Sequence, residues 1–123
     1  MGIFNKKIDI RKFYPTGFVD IHSHLLPGID DGAKNLETSI SLINKMRSYG
    51  IKNIITTPHV LGDLYQNSTE TIKNKLREVK EELQRRNITD VSIQAAAEYM
   101  MDEQFSELLE KNDILTLKDN YVL

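Results

Sequence analysis

Two histidines separated by a single residue, His22 and His24, are the first sign of chemistry in this sequence. In an extended chain, alternate side chains project to the same face, so the two imidazoles can bind one metal ion together. Asp20 shares that face, where its carboxylate would accept a hydrogen bond from an imidazole and fix the tautomer. The same pattern also arises by chance as an exposed histidine pair, so a metal site needs further ligands.

Carboxylates and a third histidine supply such ligands later in the sequence. Asp30 and Asp31 lie in a loop with proline and glycine, His59 follows a Thr-Pro pair, and Glu98 follows three alanines. Each also has a simpler interpretation: the aspartates as turn residues, the histidine as a surface residue, and the glutamate as an exposed strand end. A shared site is favoured because three consecutive predicted strands each end in a potential ligand and the loop after the first strand adds the aspartates.

The elements that must position these side chains alternate between strands and helices. Apolar, β-branched runs predict strands at 18–22, 53–57, 91–97 and 121–123. Apolar residues at spacings of three and four predict helices at 36–49, 68–86 and 102–109. This β-α-β-α-β-α-β order implies parallel strands joined by helical crossovers, and thus an α/β fold whose strand ends meet on one side.

Single residues set two details of these elements. Asn67, with Glu70 three residues later, predicts the N-cap of the second helix. In the first strand, Val19 and Ile21 alternate with polar residues and are expected to pack against covering helices. One face of that strand would therefore pack against helices, and the other would carry the metal ligands.

The predicted metal ligands are five side chains that offer only nitrogen and oxygen atoms: His22, His24, Asp31, His59 and Glu98. Such a set suits Mn²⁺, Zn²⁺ or Fe²⁺ rather than a thiolate site. Because five ligands exceed what one catalytic ion usually takes from a protein, a cluster of two or more ions is expected, with Glu98 able to bridge. Asp20 and Asp30 are expected beside the ligands, supporting them rather than binding metal.

Composition excludes several other functions. The sequence has 123 residues and no cysteine, which excludes a thiolate nucleophile. Its net charge of −2 argues against a nucleic-acid binder, which is usually basic. No apolar run approaches the ~20 residues of a membrane span. Residues 1–17 form a basic leader that lacks the features of a targeting signal, so a cytoplasmic location is expected.

Four segments carry a resemblance to a known family: FVDIHSH at 18–24, LPGIDDG at 26–32, TTPH at 56–59 and AAAEY at 95–99. Their order and spacing resemble the opening motifs of the PHP-domain protein-tyrosine phosphatases of bacterial capsular and exopolysaccharide operons. The resemblance implies a distorted β/α barrel, similar to a TIM barrel, with two or three manganese ions in the complete domain; iron and zinc remain open. It implies that His22, His24 and Glu98 serve one ion, while Asp31 and His59 serve its neighbours.

The same resemblance implies a substrate and a missing part. The implied substrate is the phosphotyrosine tail of a cognate capsule-assembly tyrosine kinase, hydrolysed by metal-activated water. Because family members are longer, residues 18–123 are expected to be the N-terminal part of the domain, ending in the fourth strand before further ligands and phosphate-binding arginines. We therefore expect weak or no turnover from this chain, and either self-association or pairing with a missing C-terminal half.

Two other interpretations remain open. Another PHP phosphoesterase, such as a histidinol phosphatase or a polymerase-associated exonuclease, would share the HxH motif. A non-catalytic metal-binding fragment would hold fewer ions than an enzyme. Metal content, and a comparison of aryl, alkyl and nucleotide phosphoesters, distinguish these cases.

Overall fold

A computed structural model describes residues 8–123. Residues 1–7, the first part of the predicted leader, lie outside the described residues. The rest of the leader contains a short 3₁₀ helix at Ile10–Lys12. Tyr14 packs against the core, with its ring centroid 4.8 Å from that of Phe18. The segment just before the first strand is therefore part of the folded structure.

The chain alternates strands and helices, as predicted. In order, the elements are β1 Val19–Asp20, α1 Leu36–Ser48, β2 Asn53–Thr56, β3 His59–Val60, α2 Thr69–Arg85, β4 Ser92–Ala95, β5 Glu98–Tyr99 and α3 Glu103–Glu110. One sheet has the order β1-β2-β4 and a second pairs β3 with β5, and all of these pairings are parallel. The fold is thus mixed α/β with parallel strands.

Two of the predicted strands are interrupted and then resume. β2 ends before Pro58 because proline has no N–H to donate to a neighbouring strand. The N–H of Thr57, the residue before it, donates to Ser23 O at 2.7 Å. The chain then continues as β3, whose His59 pairs in register with Glu98 of β5. The two-stranded sheet was not anticipated, and it sets two predicted ligands side by side at its start.

The first two helices bury the faces that their apolar spacing predicts. Ile40 and Ile43 of α1, and Ile72 and Val79 of α2, have no exposed surface. Asn35 caps α1 by accepting a hydrogen bond from Thr38 N at 2.9 Å. Both helices thereby cover the three-stranded sheet.

The predicted N-cap of α2 is wrong by one residue. Ser68 is the N-cap, and its Oγ accepts a hydrogen bond from Thr71 N at 3.1 Å. Asn67 is turned inward and is 8% exposed. Its amide donates to the carbonyl oxygens of Ile29 and His59, which satisfies a buried polar group while Ser68 caps the helix.

The first and last predicted strands also differ from expectation. β1 has only two residues, and Val19 and Ile21 are 42% and 49% exposed rather than packed under helices. Among the described residues β1 is an edge strand that pairs with β2 alone, which explains this exposure. At 121–123 no strand forms: Tyr121 makes an isolated antiparallel bridge to Lys118 across a tight turn. Leu123 O nevertheless accepts a hydrogen bond from Tyr99 N of β5 at 3.1 Å, so the end of this segment lies beside β5.

None of the helices in residues 8–123 has the length and apolar character needed to span a bilayer.

Candidate metal centre

Three imidazoles converge on one carboxylate oxygen. Glu98 Oε2 lies 3.3 Å from His22 Nε2, 3.3 Å from His24 Nε2 and 3.1 Å from His59 Nδ1. The first two histidines follow β1, His59 begins β3, and Glu98 begins β5. The parallel strands therefore bring together, at one end, side chains that are far apart in the sequence.

A second group lies beside the first and shares one of its histidines. Asp31 Oδ1 is 3.4 Å from His59 Nε2, and the ring centroids of His24 and His59 are 4.5 Å apart. Ligand atoms of His22, His24 and Glu98 lie within 4.8 Å of one another, and so do those of His24, Asp31 and His59. The five predicted ligands thus form two overlapping groups that could each hold a metal ion.

Asp30 lies beneath these ligands as a buried carboxylate, with its side chain 1% exposed. Its Oδ2 accepts hydrogen bonds from His24 Nδ1 at 2.8 Å and from the backbone N–H of His59 at 3.1 Å. Its Oδ1 accepts from Gly32 N at 2.9 Å. Three donors compensate the cost of burying this charge. Asp30 thus contacts two of the predicted ligands, His24 and His59.

The hydrogen bond to Asp30 assigns the tautomer of His24. With the proton on Nδ1, the neutral ring presents the lone pair of Nε2 toward Glu98 Oε2, 3.3 Å away. Two acceptors at that distance repel each other unless a cation lies near both. The donor chemistry, nitrogen and oxygen only, suits a divalent ion such as Mn²⁺, Fe²⁺ or Zn²⁺. These residues therefore fit a metal centre.

Glycine allows the aspartate loop to fold back onto His24. A Cβ at Gly32 would lie 2.3 Å from His24 O and 2.4 Å from His24 Cβ, so no other residue fits without moving backbone. Gly28 has a φ of +72°, a left-handed conformation that favours glycine. The LPGIDDG sequence thus closes a tight loop that places Asp30 and Asp31 beside the histidines.

The expected supporting role of Asp20 is not seen. Within residues 8–123 no hydrogen bond joins Asp20 to an imidazole, and its Oδ2 is buried with no hydrogen-bond partner there. β1 ends at Asp20, so the chain is no longer a regular strand at His22, and the two side chains need not share a face.

Two residues beside the site were not anticipated from the sequence. The ring of Tyr65 stacks on His59, with centroids 5.5 Å apart and an interplanar angle of 10°. Asn67 donates hydrogen bonds to His59 O and Ile29 O, each at 2.8 Å. Their only signal in the sequence is that they closely follow a predicted ligand. A cavity of about 280 Å³ lies beside the candidate ligands, and His59 and Glu98 are among the residues that line it.

A family model described as capsular polysaccharide synthesis, CpsB/CapC, matches residues 18–123. The chain belongs to the CpsB/CapC family. The resemblance carried by the HxH and LPGIDDG segments is thereby confirmed.

Curated relatives of this CpsB/CapC-family chain are named as phosphatases. It is 31% identical over 102 residues to the tyrosine-protein phosphatase CpsB of Streptococcus pneumoniae, a match that covers 83% of this chain and 42% of that protein. It is 29% identical over 106 residues to the tyrosine-protein phosphatase YwqE of Bacillus subtilis, covering 85% of this chain and 41% of the relative.

The fold agrees with a solved structure of the same family. A structure described as YwqE from Bacillus subtilis and CpsB from Streptococcus pneumoniae, metal-dependent tyrosine phosphatases, superposes with a TM-score of 0.76 at 29% identity. The match covers 86% of this chain and 43% of that chain. The chain thus spans about two fifths of the length of the relatives it matches.

Proposed function

We propose that this chain provides part of the active site of a metal-dependent protein-tyrosine phosphatase, which hydrolyses phosphotyrosine with a metal-activated water. The observation that carries the proposal is the pair of overlapping ligand groups around His24, one with His22 and Glu98, the other with Asp31 and His59. The names of the relatives, tyrosine-protein phosphatases described as metal-dependent, support it.

In this proposal the five ligands hold the metal cluster, and their neighbours orient them. His22, His24 and Glu98 hold one ion, and Asp31 and His59 contribute to its neighbours. Asp30 keeps the proton of His24 on Nδ1, which leaves Nε2 free to bind. Metal ions bound here would lower the pKa of a coordinated water and neutralise charge on the phosphoryl oxygens. We propose manganese, in two or three ions for the complete domain, with iron and zinc as the other metals to test.

The substrate proposal rests on the family and on the names of its members. A family described by capsular polysaccharide synthesis, whose members are named tyrosine-protein phosphatases, points to the phosphotyrosine tail of a capsule-assembly tyrosine kinase. We further propose that residues 18–123 belong to a PHP-type β/α barrel domain and that the protein acts in the cytoplasm. The parallel β/α order of the described residues supports the barrel proposal.

Metal content tests the ligand assignment directly. The chain, equilibrated with Mn²⁺ and then desalted, should retain at least two ions per chain by elemental analysis. His22→Ala and Glu98→Ala should each lower that number, because each removes a ligand of the first group. The matched control is Glu81→Ala, whose side chain is 71% exposed on α2 and distant from the ligands in the sequence. Unchanged metal content in both ligand variants would refute the assignment.

Substrate preference tests the phosphatase proposal. With Mn²⁺ present, hydrolysis of a phosphotyrosine peptide should exceed that of histidinol phosphate and of a nucleotide phosphodiester, even if turnover by this chain is weak. Activity that disappears in His22→Ala would link it to the metal centre. A preference for the alkyl phosphate would favour a histidinol phosphatase-like enzyme, and metal binding without hydrolysis of any ester would favour a non-catalytic metal-binding role.

A further inference from the structure

The strand that begins with His59 has one edge that pairs with no other strand of residues 8–123. β3 pairs with β5, with Glu98 N donating to Pro58 O at 2.9 Å and Met100 N donating to Val60 O at 3.1 Å. In a parallel pair, hydrogen-bonding groups alternate between the two edges of a strand. The N–H and C=O of His59 therefore point to the opposite edge, toward the aspartate loop.

Side chains rather than a strand satisfy those two backbone groups. The N–H of His59 donates to Asp30 Oδ2 at 3.1 Å, and its C=O accepts from Asn67 Nδ2 at 2.8 Å. The second amide proton of Asn67 goes to Ile29 O, also at 2.8 Å. Asn67 is 8% exposed, so water has little access to replace these bonds.

Asn67 thereby joins the segment that carries one ligand to the loop that carries another. Ile29 directly precedes the aspartates, and His59 lies across the second ligand group from Asp31, with 3.4 Å between Nε2 and Oδ1. A change in the distance between the loop at Ile29 and the strand at His59 would change the separation of Asp31 Oδ1 from His59 Nε2. The helix cap does not depend on this amide, because Ser68 caps α2.

We propose that Asn67 is a positioning residue that sets the separation of Asp31 and His59, and so the metal affinity of the group they form with His24. This inference rests on the proposed function, because it assumes that the group binds metal. Asn67 itself does not touch the ion. It acts through the peptide group of His59 and the carbonyl of Ile29.

Two variants remove the amide donors in different ways. Asn67→Asp keeps the size of the side chain but places carboxylate oxygens against two carbonyl oxygens. Asn67→Ala removes the group without adding charge. Loss of a partner that orients a ligand typically lowers metal affinity 10- to 100-fold, and we expect about 10-fold here because Asn67 acts through the backbone. Asn74→Asp, at an exposed position of α2, is the control for the same substitution.

The measurement is a titration of each metal-free chain with Mn²⁺ by calorimetry, repeated with Co²⁺ to read the ligand geometry from visible absorption. In the unmodified chain two binding steps are expected. Both Asn67 variants should weaken one step about 10-fold and change the Co²⁺ spectrum, while Asn74→Asp leaves both unchanged. The Asp31→Ala variant already lacks one ligand of the group formed by His24, Asp31 and His59. Adding Asn67→Ala to that variant should have little further effect on the binding step that remains.

Several results would overturn the inference. Unchanged affinity in folded variants would do so, as would an equal loss at both steps, or an undiminished effect of Asn67→Ala in the Asp31→Ala background. Circular dichroism of the metal-free chains identifies folded variants, and if both Asn67 variants unfold, the role of Asn67 is structural and the proposal fails. An unmodified chain that binds metal but hydrolyses an alkyl phosphate or a nucleotide ester faster than phosphotyrosine refutes the phosphatase proposal alone. An unmodified chain that binds no metal refutes both.

Discussion

Replacing Asp30 with asparagine should weaken Mn²⁺ binding about 10- to 100-fold, the usual effect of losing a group that orients a metal-binding histidine. The carboxylate is 1% exposed and accepts three hydrogen bonds, from His24 Nδ1, His59 N and Gly32 N. Asparagine has nearly the same size, so the change removes charge and one acceptor atom without opening a cavity.

The magnitude follows from the arrangement of the donors. The amide oxygen can take the place of Oδ2 and keep the bonds from His24 and His59, but the amide N–H₂ then faces the N–H of Gly32, 2.9 Å from the replaced atom. Hydrogen bonds to charged groups contribute about 1.5–3 kcal/mol, and neutral ones about 1 kcal/mol. A loss of ~1.4–2.8 kcal/mol in metal binding corresponds to the same 10- to 100-fold range.

The assay is calorimetric titration with Mn²⁺, together with urea unfolding of the metal-free chain. Asp63→Asn, at an exposed position in the loop after β3, is the matched control and should bind as the unmodified chain does. An Asp30→Asn chain that stays folded and binds Mn²⁺ within twofold of the unmodified chain would show that the His24–Asp30 hydrogen bond does not set metal affinity.

Four further predictions test other parts of the structure. Gly32→Ala should lower stability by about 1–3 kcal/mol or more and reduce metal binding, because its Cβ would lie 2.3 Å from His24 O. Urea unfolding measures the stability and elemental analysis measures the bound metal. The control is Gly62→Ala, whose Cβ would meet only side-chain atoms. Ile72→Ala, in the core, should cost about 2–5 kcal/mol in urea unfolding, whereas Leu64→Ala, 68% exposed, should cost little. Hydrogen bonds from Arg85 and Arg86 lower the pKa of Glu82 from 4.5 to about 2, so the carboxylate stabilises the fold above pH 4.5 and progressively less as the pH falls toward 2. The destabilisation caused by Glu82→Gln should therefore shrink over that range in urea unfolding, and a constant difference would contradict the ion-pair explanation. Light scattering should show self-association of this chain, because Val19 of the edge strand β1 and Ile21 just after it are exposed, and a uniform monomer would contradict it.

Much of the site follows from the sequence because strand ends are easy to locate. A β-branched run followed by proline or by alanines marks where a parallel strand stops, and ligands at such positions collect on one side of the sheet. That reasoning predicts that His59 and Glu98 lie close together, and the two residues do pair in register. The apolar spacing of α1 and α2 is equally informative, because each buried face is continuous over several turns.

Other features depend on contacts that local patterns do not contain. Asn67 and Ser68 are both good capping residues, and which of them caps α2 is decided by the carbonyl oxygens that lie near Asn67 in three dimensions. Val19 and Ile21 have the pattern of a packed strand face, but an edge strand of two residues has too few neighbours to cover them. Asp20 makes no hydrogen bond to an imidazole of the described residues for a similar reason, because the regular strand does not extend to His22.

At the metal centre, local sequence patterns identify the candidate ligands but not the residues that hold them in place. The candidate ligands are side chains with a recognisable chemistry, but the segments that carry them are held together through residues outside the two ligand groups: a buried carboxylate at Asp30, a buried amide at Asn67 and the absence of a Cβ at Gly32. All three lie at one edge of β3 or on the loop beside it, where no other strand of the described residues pairs with the backbone. Substitutions there should change metal affinity more than they change the helices, whereas substitutions in the helix-covered core should do the reverse.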